Sequence, residues 1–164
     1  MAVNSRLLDL LVKSRIEYEL MPHREAFTAQ EVAQAAHVRG RRLAKVVLVR
    51  AGRGDYLMAV VPASAHVDLE LLGRISGHKH LVLATEGDIQ RVFPDCEPGA
   101  MPPFGNLYDL PVYLDACFAQ QESITFQAGN HHEAVRMAFP EYERLAGPFA
   151  KVACLHHEVA PATV

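Results

Sequence analysis

Three short segments of this 164-residue chain combine residue types that could do chemistry. Lys45 interrupts the apolar run Leu43-Ala-Lys-Val-Val-Leu-Val49, breaking the alternation of a strand and setting a point charge among aliphatic neighbours. Gly99-Ala-Met-Pro-Pro-Phe-Gly105 pairs glycines, which let a backbone approach another group closely, with prolines that stiffen the path. Ala128-Gly-Asn-His131 sets an imidazole at a predicted strand boundary. A cation, a backbone open to close approach and an imidazole are the chemistry-bearing groups these segments offer. Each segment also has a plainer account: an outward lysine on an edge strand, a tight connection, and a turn with an incidental histidine.

Other chemistries find little support. GxSxG, HExxH and GxxxxGK[ST] are absent from the sequence. Gly52-Arg-Gly54 lacks a third glycine and falls in a predicted hairpin turn, which also accounts for Arg53-Gly54-Asp55. Ser64, His66 and Asp68 mimic a triad, but alternate residues project side by side, and Asp68 has a helix to cap. His131-His132 and His156-His157 are adjacent pairs whose side chains would point to opposite faces of a strand, so they make poor ligand sets. His156 and His157 are expected at the solvated surface. Cys96, Cys117 and Cys154 are odd in number and widely spaced, suggesting neither a disulfide framework nor a CxxC unit. No metal ligand and no cofactor is assigned; a metal-dependent hydrolase built on the histidines is the weakest alternative.

The elements that must position these groups read as an alternation of short helices and strands. Asn4 or Ser5 caps a first helix with the stripe Leu7, Leu8, Leu11 and Val12, and Ile16–Leu20 alternates as a strand. Thr28-Ala-Gln-Glu31 has the capping-box pattern and opens a helix to about Ala36. After the basic loop Val38-Arg39-Gly40-Arg41-Arg42, two β-branched runs, Leu43–Val49 and Tyr56–Val61, flank a glycine turn as a hairpin. Asp68 caps a helix through Ile75, Leu81–Ala84 is a strand, and Thr85 caps a helix to about Phe93. Asp95–Asn106 is aperiodic; strands follow at Val112–Leu114, Ile124–Phe126 and Ala134–Ala138, a helix from Pro140, and a closing strand at Val152–Leu155. This mixture without regular βαβ alternation predicts a single α+β domain over 1–164.

Half the residues are hydrophobic and 21% are charged, a globular balance. No run reaches the roughly 18 apolar residues of a membrane span, and Met1–Lys13 lacks the layout of an export signal, so a cytoplasmic protein without membrane partners is expected. A net charge of −3 argues against wholesale wrapping of nucleic acid, DNA included; any RNA contact must be local.

Taken together and in their order, the three segments resemble the YbaK family, the editing-domain family related to the inserted domain of bacterial prolyl-tRNA synthetase. The family's lysine in an (L/A)-A-K strand matches Lys45, its GxxxP loop followed by Phe-Gly matches Gly99, Pro103, Phe104 and Gly105, and its Ala-Gly-x-His element matches Ala128, Gly129, Asn130 and His131. His23 with Thr28 and Val67-Asp68 are weaker matches. The resemblance runs from about Ile16 to Leu155.

It implies a curved mixed sheet, partly barrel-like and wrapped by helices. It further implies hydrolysis of the ester joining a small non-cognate amino acid to the acceptor end of tRNA, chiefly tRNA for proline, with the substrate's own ribose hydroxyl helping to activate water. On that reading Lys45, Gly99 and His131 do the chemistry. Lys45 binds a terminal phosphate or adenosine oxygen, the loop backbone holds the reacting end, and His131 hydrogen-bonds the ribose or the substrate amine. Met101, Pro103, Phe104, Gly105, Gly129 and Asn130 shape the pocket; core or lid packing explains Met101 and Phe104 equally well. Arg39, Arg41 and Arg42 supply a local RNA footprint, or are simply a solvated basic turn. A synthetase could recruit the protein. Val46 follows the lysine where several members carry a polar residue, so no particular amino-acid preference transfers. The alternative function is a non-catalytic module of the same fold that binds tRNA or a synthetase.

Overall fold

A computed structural model describes residues 3–26, 29–36, 39 and 42–158. Local capping signals set most helix starts. Asn4 precedes α1 (Ser5–Lys13), and its Oδ1 accepts the Leu7 N–H at 3.0 Å. Asp68 caps α3 (Leu69–Ser76), and Thr85 caps α4 (Glu86–Val92) in a reciprocal capping box with Asp88. The Thr85 N–H bond to Asp88, with help from the Tyr56 hydroxyl, holds the Asp88 carboxyl well down, at about 2. The remaining helices are α2 (Ala29–Ala35) and α5 (Phe139–Ala146), the latter with Pro140 in its first turn. The proposed Thr28 cap lies outside the described residues.

The strands are β1 (Tyr18–Pro22), β2 (Leu43–Ala51), β3 (Asp55–Pro62), β4 (Ala65–Val67), β5 (Leu81–Leu83), β6 (Val112–Asp115), β7 (Ser123–Gln127), β8 (Glu133–Ala138), β9 (Ala150–Val152) and β10 (His156–Glu158). The main sheet runs β1-β8-β7-β2-β3-β6-β9, with β5 added to β2, and β4 pairs with β10 in a separate ribbon. The pairs β7–β2, β3–β6 and β6–β9 are parallel and the others antiparallel. This confirms a mixed α+β fold, but the sheet is open, ending at β1 and β9, rather than barrel-like. The expected closing strand at Val152–Leu155 is instead a turn: β9 ends at Val152, Cys154 takes a positive φ of 55°, and the chain turns into β10.

Alternation along the inner strands serves two cores. Ala44, Leu48, Met58, Val60, Val112, Leu114, Ile124 and Phe126 face α1 and α5 through Leu7, Leu11 and Tyr142. Val49, Leu57, Ala59, Val61 and Tyr113 face α3 through Leu72. At the start of β2, Leu43 turns to a small cluster with Val32 and Ala33 of α2. Helices therefore cover both faces of the sheet.

Candidate functional site

Lys45 lies in the middle of the sheet, on β2, opposite Val61 of β3. On its other side β2 pairs with β7 only at Leu43 and Ala44, and with β5 only from Val49 onward. The intervening Lys45, Val46 and Val47 line a notch in the sheet and are half-buried while their neighbours are buried. An outward lysine on an edge strand is thus not what the fold contains. Burial lowers the pKa of the Lys45 ammonium, because removing water disfavours the charged form.

One residue beyond the β2–β7 ladder, Gln127 continues onto the same face as Lys45, since paired residues of a sheet share a face. Gln127 is 5% exposed; its Nε2 donates to the Gly99 carbonyl at 3.2 Å, and its Oε1 is buried without a hydrogen-bond partner among the described residues. A buried acceptor left unpaired costs about 1–3 kcal/mol, so this oxygen is primed for a donor on a ligand or a water.

The glycine loop and the histidine turn are laced together. Glu97 N–H donates to the Gly129 carbonyl and Gly129 N–H to the Ala100 carbonyl, both at 2.9 Å. Glu97 Oε2 accepts the His131 backbone N–H at 2.9 Å and lies 3.7 Å from His131 Nε2. Gly99 and His131 thereby belong to one cradle, connected to the Lys45 face through Gln127. The Gly99 N–H is already donated to Met101 Sδ at 3.2 Å, so the groups left for a ligand are the Gln127 oxygen, an imidazole with an acidic neighbour and a desolvated cation, which can together bind and orient an anionic or ester-bearing end.

Other residues of the expected pocket have structural work. Asn130 Oδ1 accepts the N–H groups of His132 and Glu133 at 2.8 Å, shaping the turn from a fully buried position. Gly129 has φ of 97°, and a Cβ there would sit 2.7 Å from Asn4 Cβ, so it seats the turn against the start of α1. A Cβ on Gly105 would meet the Leu110 carbonyl oxygen at 2.4 Å; that glycine permits close packing rather than ligand approach. Phe104 is completely buried, edge-on to Phe126 and Tyr142, and Met101 is in the same core. Both therefore pack the interior, the core account that the sequence left open for them. The Pro103 carbonyl accepts the buried Tyr142 hydroxyl at 2.8 Å, which fixes the proline turn to α5.

Arg39 and Arg42 are exposed and line a pocket of about 410 Å³ with Pro62, Cys117, Gln120, Gln121 and His156. Pro62 pairs with Ala44, so the pocket opens beside the strand that carries Lys45. Arg41 lies outside the described residues. His156 corrects an expectation: it is not surface-solvated but half-buried, its Nδ1 in a short contact with the wholly buried Asp115 carboxylate. Alternation in β10 turns His157 outward, where it approaches Asp68 Oδ2 at 3.5 Å.

Sequence reasoning missed Glu97, Gln127 and Asp115. Their partners lie 28 to 41 residues away, beyond any local period. It also missed the clamp on the loop: Asn4 Nδ2 and the Tyr108 hydroxyl both donate to the Asp95 carboxylate, at 2.9 and 3.0 Å. Beside them, burial pushes the Cys96 thiol up to about 11, leaving it inert.

Among solved structures, a candidate trans-editing enzyme for prolyl tRNA synthetase matches with a TM-score of 0.76 at 22% identity, over 94% of this chain and 96% of that one. A scaffold protein from computational epitope grafting matches with a TM-score of 0.77 at 23% identity, over 94% and 97%. A hypothetical protein matches with a TM-score of 0.79 at 13% identity, over 90% and 97%. At these identities the likeness concerns the fold. No curated protein matches significantly by sequence. The profile of the aminoacyl-tRNA editing domain matches residues 23–145, a span that holds Lys45, the glycine loop and His131, and the chain belongs to that family.

Proposed function

We propose that the protein is a trans-acting deacylase that hydrolyses the ester between a small non-cognate amino acid and the 3′-terminal ribose of tRNA, with tRNA for proline the first candidate. The observation that supports this most is the cradle in which Glu97 and Gln127 tie Gly99 to His131 beside the half-buried Lys45. Water attacks the acyl carbon, the bond to the ribose oxygen breaks, and a free amino acid and a tRNA with a free terminal hydroxyl leave. The substrate's ribose hydroxyl helps to position the water, main-chain groups of the Gly99 loop hold the reacting end, His131 orients the ribose or the amine, and Lys45 holds the terminal phosphate or adenosine. An aminoacyl ester is labile enough for orientation and electrostatics to suffice. Size exclusion explains why a separate domain is useful, since one methylene gives a synthetic pocket only about 1–3 kcal/mol of discrimination. Arg39, Arg41 and Arg42 supply the local RNA contact, in the cytoplasm, with or without a synthetase as recruiter.

The test is deacylation of purified mischarged tRNAs, with Ala, Cys, Ser and Thr on tRNA for proline first. Release of at least one of these amino acids by the wild type and its loss in Lys45→Ala supports the assignment. Binding of tRNA with every ester left intact makes the protein a non-catalytic module. Full activity in Lys45→Ala removes the site.

A further inference from the structure

Two strands away from Lys45, on the same face of the sheet, lies a second group of side chains that the editing reaction does not use. Asp115 ends β6 one step past the Val60–Leu114 pair, which places it beside Val61, the partner of Lys45. At about 4.8 Å per strand its backbone is roughly 10 Å from that of Lys45. Asp115 is completely buried. Its Oδ1 accepts the Cys117 N–H at 2.9 Å, and its Oδ2 meets His156 Nδ1. One carboxylate oxygen, the Cys117 sulfur and one His156 nitrogen all lie within 4.8 Å of one another.

We infer that Asp115, Cys117 and His156 form a binding site for a divalent cation of the zinc class. The donor set is the first argument. Carboxylate, thiolate and imidazole are all ligands of Zn²⁺, and three protein ligands leave a fourth position open. With bonds of roughly 2.0–2.3 Å, tetrahedral ligand atoms stand about 3.3–3.7 Å apart, so the cluster closes on a metal through side-chain movements of about 1 Å. Rigidity is the second argument. Asp115 and His156 stand on strands, Cys117 is in the short 3-10 helix Ala116–Gln120, and the Cys117 N–H already orients the carboxylate as an outer-shell donor. Charge is the third: one carboxylate and one thiolate neutralise a divalent ion. Access is the fourth, because Cys117 and His156 line the pocket whose rim carries Arg39 and Arg42. A cation there pins the β10 ribbon to the end of β6, and its open position faces a cationic rim suited to an anionic fourth ligand.

The experiment titrates chelator-treated, reduced full-length protein with Co²⁺, a spectroscopic stand-in, followed by Zn²⁺ in competition. The expected result is one equivalent of cobalt with a thiolate-to-cobalt charge-transfer band and tetrahedral d–d bands, abolished by excess Zn²⁺. Cys117→Ser, nearly isosteric and therefore folded, loses the charge-transfer band; His156→Ala weakens binding by about 100-fold or more, beyond the 10–100-fold typical of outer-shell changes. Cys154→Ser, which removes an exposed thiol, leaves the spectrum intact. So does His66→Ala, which breaks the exposed cross-strand pair His66–His157. Zn²⁺ also raises the thermal midpoint of the wild type and not that of Cys117→Ser, as binding to the folded state alone requires. No thiolate band in the wild type, or a band that survives Cys117→Ser, overturns the site. Because the readout is spectroscopic, its failure is separate from any failure of deacylation.

Discussion

The carboxylate of Glu97 meets His131 twice, accepting its backbone N–H at 2.9 Å and lying 3.7 Å from its Nε2. One acid thus fixes both the path of the histidine turn and the electrostatic setting of the ring. The backbone contact is a matter of folding and the ring contact a matter of chemistry, and a single substitution separates them.

Glu97→Gln keeps an oxygen for the His131 N–H but removes the negative charge beside the ring. Unfolding in urea should change by less than about 1 kcal/mol, within the range of one retained hydrogen bond. Deacylation at pH 7 should fall by about 10-fold, equivalent to about 1.4 kcal/mol of transition-state stabilisation. Unchanged kcat/KM would show that Glu97 only shapes the turn.

Lys45→Met separates binding charge from stability. The substitution removes a half-buried ammonium and should leave stability equal or higher, while kcat/KM falls by about 100-fold or more. The sign of the pH effect follows from the lowered pKa. In the folded state the lysine gives up its proton before the unfolded chain does, so the wild type is penalised below its folded pKa and relieved as pH rises from there towards 10.5. The stability gap between Lys45→Met and wild type, measured by denaturant titration across alkaline pH, should therefore narrow as pH increases.

Gly105→Ala should destabilise the fold by about 1–3 kcal/mol, the range of an overpacked interior. Its new methyl would sit 2.4 Å from the Leu110 carbonyl oxygen and 2.6 Å from Val112 Cγ2, so the backbone at Leu110 has to give way. Thermal melting of the pair reads the effect directly.

Tyr142→Phe should cost about 1 kcal/mol, since it leaves the buried Pro103 carbonyl without its donor. The Pro102-Pro103 turn then loses its tie to α5, and deacylation should drop through kcat more than through KM if that turn positions the reacting end. Parallel single-turnover and steady-state assays distinguish the two.

Asp88 gives an acid-side prediction. Its carboxyl is held at about 2 in the fold, below its unfolded value, so its contribution is complete above the unfolded pKa and is lost as pH falls towards about 2. Asp88→Asn should make stability less steep below pH 4, as followed by circular dichroism.

What the sequence revealed depended on range. Asn4, Asp68 and Thr85 cap helices through bonds spanning three residues, so their signals are local; the structure reproduces the caps at Asp68 and Thr85 and selects Asn4 over Ser5 for the first helix. The β2–β3 hairpin was legible for the same reason. By contrast, β4 and β10 are three-residue strands paired across about 90 positions, too short for a period and too far apart for a turn signal. For Phe104 and Met101 the sequence leaves pocket wall and core packing equally open, and only the folded sheet shows that both are buried in the core. Lys45, Gly99 and His131 stand out through the ordered motifs of the family resemblance; that Glu97 and Gln127 connect the last two to the Lys45 face is not legible in the sequence, because those bonds exist only after the sheet has formed.

Asn4 does more than cap α1. Its backbone N–H donates to the Ala128 carbonyl at 2.8 Å, its amide reaches Asp95, and Gly129 is flattened against its Cβ. Asn4 is therefore the keystone for a turn built more than a hundred positions later. Closing such a long loop is entropically slow and comes after the local elements have formed. The cradle should be among the last parts of the molecule to mature and the first to loosen, so that any ligand bound there would also hold the first helix in place.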